Sequence, residues 1–168
     1  QKGKVLLDLY QEGYPVPDFC VLTSNSYKIN ARERETCLQT AISNLEKMTG
    51  EKLGDPDHAL VFAMRSATPY YIPGLMPTYL NVGVTKISYR SLERQYGRPV
   101  ANKIYLNNLQ SICQILGSGE EFFRKEKGSC VPVTEDVEER IGLLFKKIET
   151  IDDRILYDAQ YQVKMFMG

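Results

Sequence analysis

The 168-residue sequence carries 21 Lys and Arg against 21 Asp and Glu, with 43% hydrophobic and 25% charged residues, the make-up expected of one globular domain spanning 1–168. A net charge of 21 − 21 = 0 argues against a surface built to attract nucleic acid or anionic lipid. No apolar run approaches the ~20 residues of a membrane-spanning helix, and the N-terminus lacks the order of a signal peptide.

At this size a fold buries roughly 68–70% of its unfolded surface, enough for a core without a disulfide or metal staple. Cys20, Cys37, Cys113 and Cys130 form no C-x-x-C pair, so they are expected to be reduced structural thiols in a cytoplasmic protein. The sequence opens at Gln1 inside a patterned segment and is therefore expected to be a piece of something longer.

Residues 4–12 place Val5, Leu6 and Leu9 on one helical face and meet Gly13 as a stop. Tyr14-Pro15-Val16-Pro17 fixes an extended connection, and Phe19-Cys20-Val21-Leu22 has the content of a short buried strand. Thr23, Ser24, Asn25 and Ser26 offer caps for a further helical turn. From Thr36 to Met48, Leu38, Ala41, Ile42, Leu45 and Met48 recur at helical spacing before Gly50.

Gly54-Asp55-Pro56-Asp57 reads as a turn, and the apolar run from Ala59 to Met64 as a buried strand ending at Arg65-Ser66. Residues 67–77 hold three prolines, a glycine and two tyrosines, which predicts a loop; Thr78 to Val82 then predicts a strand that stops at Gly83. From Ser88 onward helical patterns dominate. One is halted at Gly97, a second runs from Pro99 to Gly117, and a third opens at Thr134-Glu135-Asp136 with Val137, Ile141, Leu144 and Ile148 on its apolar face. Lys146 and Lys147 are expected at the end of that helix, where they would suit its dipole. The result is an α+β fold, mixed α/β over 1–85 and mainly helical over 86–168, with a small sheet and several helices.

Two places could carry chemistry. Gln1-Lys2-Gly3-Lys4 precedes a helix, where a glycine admits a phosphate to the backbone and lysine supplies a point charge. It lacks the spacing of a Walker A loop, and a solvated lysine pair fits the same residues. Arg65-Ser66-Ala67-Thr68 sets a guanidinium beside two hydroxyls at the mouth of a buried strand, an arrangement that can grip a phosphate. An arginine paired with a surface carboxylate fits equally well.

The loop after Arg65, centred on Ile72-Pro73-Gly74-Leu75-Met76, favours a functional reading because long ordered loops usually have a job. His58 is the one histidine and reads as a turn residue rather than a ligand. Tyr70, Tyr71 and Tyr79 lack the Trp or basic stripe of a base-stacking surface. Glu120 to Lys127 is a mixed charge run of the kind that solvates a helix face.

The pieces Lys2-Gly3, Gly13-Tyr14-Pro15-Val16-Pro17, Phe19 and Thr23, Gly54-Asp55-Pro56, Met64-Arg65-Ser66-Ala67, Pro73-Gly74-Leu75-Met76 and Thr78 to Gly83 resemble, in order and spacing, the N-terminal nucleotide-binding region of the pyruvate phosphate dikinase family. Phosphoenolpyruvate synthase shares a similar pattern. The resemblance runs from residue 1 to about 84 and is loose through the helical half. It implies one subdomain of an ATP-grasp domain, which binds MgATP and passes a phosphoryl group to a histidine on a swivelling domain, for interconversion of pyruvate and phosphoenolpyruvate.

By this resemblance Lys2, with Gly3, looks like the family's glycine-lysine-glycine segment, and Arg65, with Ser66, looks like its R-S-G/S-A motif; all four are nucleotide-binding candidates. The sequence also departs from the family. Gln1 replaces a glycine, Ala67 stands at a variable small position, Pro77 replaces an acidic residue, and Asn107 and Asn108 fall near paired arginines. The acidic Mg2+ ligands, the rest of the ATP-grasp lobes and the acceptor histidine are expected outside these residues, leaving this chain catalytically incomplete. The alternative is a degenerate regulatory or protein-binding module, and a glucan-directed dikinase with a similar nucleotide domain fits the same residues.

Overall fold

Gly13 stops the first helix as its position predicts. In the computed structural model, which describes residues 2–23, 25, 28–65, 78–117 and 136–167 with Lys2 by its backbone alone, α1 spans Lys2–Gln11. Gly13 follows at φ 81°, where its lack of a Cβ removes the left-handed penalty. The chain divides into two compact units, residues 1–52 with 65–77 and residues 53–64 with 78–168.

In the first unit the half-buried stripe of α1 is Gly3, Leu6 and Leu9, while Val5 is exposed. The expected face is thus rotated by part of a turn, because Gly3 is the point of close approach: a Cβ there would lie 3.3 Å from Val21 Cγ2. Residues 19–22 form no strand. Pro15 and Pro17 remove donors just ahead of them, and the segment packs by side chains, with the Tyr10 and Phe19 rings edge-on at 6.5 Å.

The second helix, α2, spans Ala31–Thr49 and begins five residues before Thr36, because Asn30 caps it: its side chain accepts the Glu33 N–H at 2.9 Å. Leu38 and Ile42 are its buried residues, and Gly50, at φ 75°, ends it. Of the proposed caps at 23–26, Ser24 and Ser26 lie outside the described residues.

The sheet has two antiparallel strands, β1 (Phe62–Arg65) and β2 (Thr78–Val82), and belongs to the second unit except for Arg65. The division between units passes after Met64. The expected strand from Ala59 is shortened at its start: Ala59 and Leu60 are buried but precede β1. Beyond β2 come α3 (Tyr89–Tyr96) and α4 (Arg98–Leu116), broken at Gly97 with φ 79°. After them α5 (Val137–Asp152), a single turn α6 (Arg154–Tyr157) and α7 (Ala159–Met167) complete the described residues.

Asp136 caps α5 by accepting the Glu138 N–H at 2.9 Å; Thr134 and Glu135 lie outside the described residues, as does the charge run at 120–127. Lys146 and Lys147 do not end α5, which continues to Asp152 and has no basic residue in its last turn.

The core lies around α4, which packs on α3, α5 and β2. Leu109 and Ile112 of α4 and Ile148 of α5 are fully buried, each contributing about 1.5–3 kcal/mol of hydrophobic stabilisation. Gln162 of α7 is buried among them with every polar atom paired. Its carbonyl accepts from the Gly83 N–H at 2.8 Å and Asn108 Nδ2 at 3.0 Å, and its amide donates to the Val84 and Ile155 carbonyls at 3.0 and 3.2 Å. This α+β scaffold fixes the sheet-to-helix turn that leads into the cleft below.

Candidate functional site

Of the residues expected to bind phosphate, Lys2, Gly3 and Arg65 fall in the first unit. Gly3 sits in the first turn of α1, packed on Val21, so its missing Cβ serves helix packing there. Lys2 opens that helix. Arg65 closes β1 with an exposed side chain, and Ser66, with the loop through residue 77, lies outside the described residues.

Other expectations resolve at the residue level. His58 is a turn residue, its N–H and that of Asp57 donating to Asp55 Oδ1 at 2.8 and 2.7 Å. Tyr79 is half-buried, its ring 4.8 Å from that of Phe166, and burial pushes its phenol up. Tyr70 and Tyr71 lie outside the described residues. Cys20, Cys37 and Cys113 form no disulfide among the described residues, and burial pushes the Cys20 thiol up; Cys130 lies outside the described residues. Asn108, near the position of the family's paired arginines, is fully buried and donates to the Asn81 carbonyl at 2.8 Å.

In the second unit a cleft of about 350 Å³ opens beside the turn that carries Lys86. Sequence reasoning did not find it, because its walls come from three helices and no local spacing marks them. Tyr89 of α3, Tyr105 of α4 and Phe145 of α5 supply aromatic walls, with Tyr105 5.4 Å from Tyr89 and 5.2 Å, edge-on, from Phe145.

The rim is polar and internally paired. The Tyr89 hydroxyl donates to Asn102 Oδ1 at 2.5 Å, Asn102 Nδ2 donates to Glu138 Oε1 at 3.1 Å, and Arg98 grips both Glu138 oxygens at 2.8 and 2.9 Å. This bidentate geometry ties the first turns of α4 and α5 together.

Lys86 donates to Glu149 Oε1 at 2.6 Å and the Tyr157 hydroxyl at 2.9 Å, and its ammonium stands 4.7 Å from the Phe145 ring centre and 4.8 Å from that of Tyr157. Burial works against this charge, but the bonds to Glu149 and Tyr157 outweigh it and hold the ammonium above its ordinary value. Burial likewise pushes the Tyr105 phenol well up, with Tyr157 and Tyr89 adding to it. The Tyr105 hydroxyl is buried and has no hydrogen-bond partner among the described residues.

Among the described residues no group of three or more His, Cys, Asp or Glu side chains is placed to hold a metal, and no helix is long and apolar enough to cross a membrane. No protein-family model matches the chain.

Part of the sequence is similar to pyruvate, phosphate dikinases. It is 31% identical to that of Clostridium symbiosum over 105 residues, 58% of this chain and 12% of the relative. The protein of the same name from Rhizobium meliloti (strain 1021) is 31% identical over 103 residues, 57% of this chain and 12% of the relative. That of Rickettsia bellii (strain RML369-C) is 31% identical over 93 residues, 49% of this chain and 10% of the relative. The matched region is thus a small part of each relative's length.

Proposed function

We propose that this chain is one subdomain of the ATP-grasp nucleotide-binding domain of a dikinase-like phosphotransferase, which passes a phosphoryl group from ATP to a histidine on another domain for interconversion of pyruvate and phosphoenolpyruvate. The observation that carries this reading is the similarity to pyruvate, phosphate dikinases over about half the chain.

Lys2 and Arg65 are the cations assigned to the triphosphate, with Gly3 admitting the backbone and Ser66 adding a hydroxyl donor. Phosphoryl transfer needs positioning and charge stabilisation above all, and a point-charge lysine with a forked guanidinium supplies both. An exposed arginine at a strand end, as Arg65 is, is available to an anion in a way that a core arginine is not.

By the resemblance, the Mg2+ ligands, the remaining ATP-grasp lobe and the swivelling phosphohistidine domain are assigned to other parts of a longer cytoplasmic protein. The second reading, a degenerate regulatory or protein-binding module, draws on Gln1 and Pro77, which stand where the family has glycine and an acidic residue.

The test is calorimetric titration of the chain with MgATP. An incomplete site predicts weak or absent binding, weakened further by Lys2→Ala and Arg65→Ala. Tight binding that survives both substitutions overturns the assignment.

A further inference from the structure

We propose that the cleft of the second unit is a binding site for a small, single-ring aromatic carboxylate, a function separate from the phosphate site and resting on different residues. A volume of about 350 Å³ lies at the low end of small-molecule sites, matched to one ring with one acidic group. The tilted and edge-on rings of Tyr89, Tyr105 and Phe145, 5.2–5.4 Å apart, form the kind of surface against which a further ring packs favourably.

The polar groups select the ligand's substituent. The acceptors of the rim are engaged: Asn102 Oδ1 by Tyr89, and the Glu138 carboxylate by Arg98 and Asn102. Donors are in surplus. Lys86 uses two of its three N–H groups on Glu149 and Tyr157, and Arg98 carries five donors of which Glu138 takes two.

Lys86 and Arg98 both line the cleft, and their spare N–H groups are cationic donors that a ligand acceptor can meet. A ligand entering such a site gains by bringing acceptors, and a carboxylate brings the most for its size. Glu138 and Glu149 would attract a cation, but each is already paired with a cation of the rim, Arg98 or Lys86, so neither offers an unpaired charge to a cationic ligand.

Gly142 makes the site testable without damage to the fold. It lines the cleft from within α5, and a Cβ added there meets nothing within 4 Å, so a larger side chain grows into the cavity while glycine leaves the helix interior.

The chain is titrated with benzoate and its amide signals followed by NMR, with benzyl alcohol as the ring alone and acetate as the carboxylate alone. Expected are saturable shifts centred on α4 and α5 for benzoate, affinity at least about tenfold lower for each partial probe, and loss of benzoate binding in Gly142→Leu. Lys86→Met, which removes the ammonium, is expected to weaken benzoate about tenfold. Absence of saturable shifts, acetate binding as well as benzoate, or benzoate binding unchanged by Gly142→Leu overturns the proposal.

Discussion

Gly83 turns the chain from β2 into the segment that leads to α3, at φ 99°. A Cβ there would lie 2.8 Å from the Leu60 carbonyl oxygen and 2.8 Å from Leu53 Cδ1, so both the conformation and the space demand glycine. Gly83→Ala is expected to cost about 3–5 kcal/mol, the sum of backbone strain and overpacking, read as a lowered urea midpoint; a loss below about 1 kcal/mol would show that the backbone relaxes freely there. The sequence placed a stop at Gly83 but gave no sign that this one of 12 glycines is pressed against a carbonyl, since that contact comes from residues 23 and more positions away. Arg65 was legible for the opposite reason: it ends an apolar run, and a local change from apolar to charged needs no partner to be seen.

Helix ends were legible where the signal is local. Gly13, Gly50 and Gly97 all hold positive φ at the ends of α1, α2 and α3, and Asp136 caps α5. The start of α2 was misjudged because the apolar spacing begins at Leu38, whereas the cap that fixes the helix is Asn30, ahead of a polar first turn.

The junction of the last three helices was not foreseen at all. There Asp152, ending α5, accepts from Arg154 Nε and Nη2 at 3.0 and 2.7 Å and from the Tyr161 hydroxyl at 2.7 Å, joining α5, α6 and α7. These bonds, Arg154 first and Tyr161 second, hold the Asp152 carboxyl well below the usual carboxylate range. Its folded value lies below an unfolded one of about 3.9, so the stabilisation is present above about pH 4 and is lost as pH falls through the folded value. Asp152→Asn is therefore expected to lower the melting temperature at pH 7, with the gap to the parent chain closing towards pH 2. A gap that stays constant with pH would mean that the charge is not what joins these helices.

At the scale of the whole molecule, Gln162 does what no sequence pattern announces. It stands in a helix stripe between Ala159, Val163 and Phe166, all buried, and ties the Gly83 turn, α4 and the α6 carbonyl at Ile155 into one network. Gln162→Leu leaves buried partners on three elements unpaired and is expected to cost about 4 kcal/mol or more, a large share of a domain stability of about 5–15 kcal/mol. Retention of the parent's denaturation midpoint would show that water or repacking satisfies those groups.

What the sequence determined by itself is the presence of the main helices and of strands β1 and β2, several of their ends, and the order of short motifs that resembles a dikinase nucleotide-binding region. All of these are encoded within a few neighbouring residues, by side-chain periodicity, caps and glycine. What only the tertiary structure decided is where α1 turns its packed face, that residues 19–22 form no strand, that Gln162 is buried and satisfied, and that Lys86, Tyr105 and Phe145 share a cleft. Each depends on atoms brought together from distant positions, where packing and hydrogen-bond satisfaction, not local propensity, set the lowest free energy.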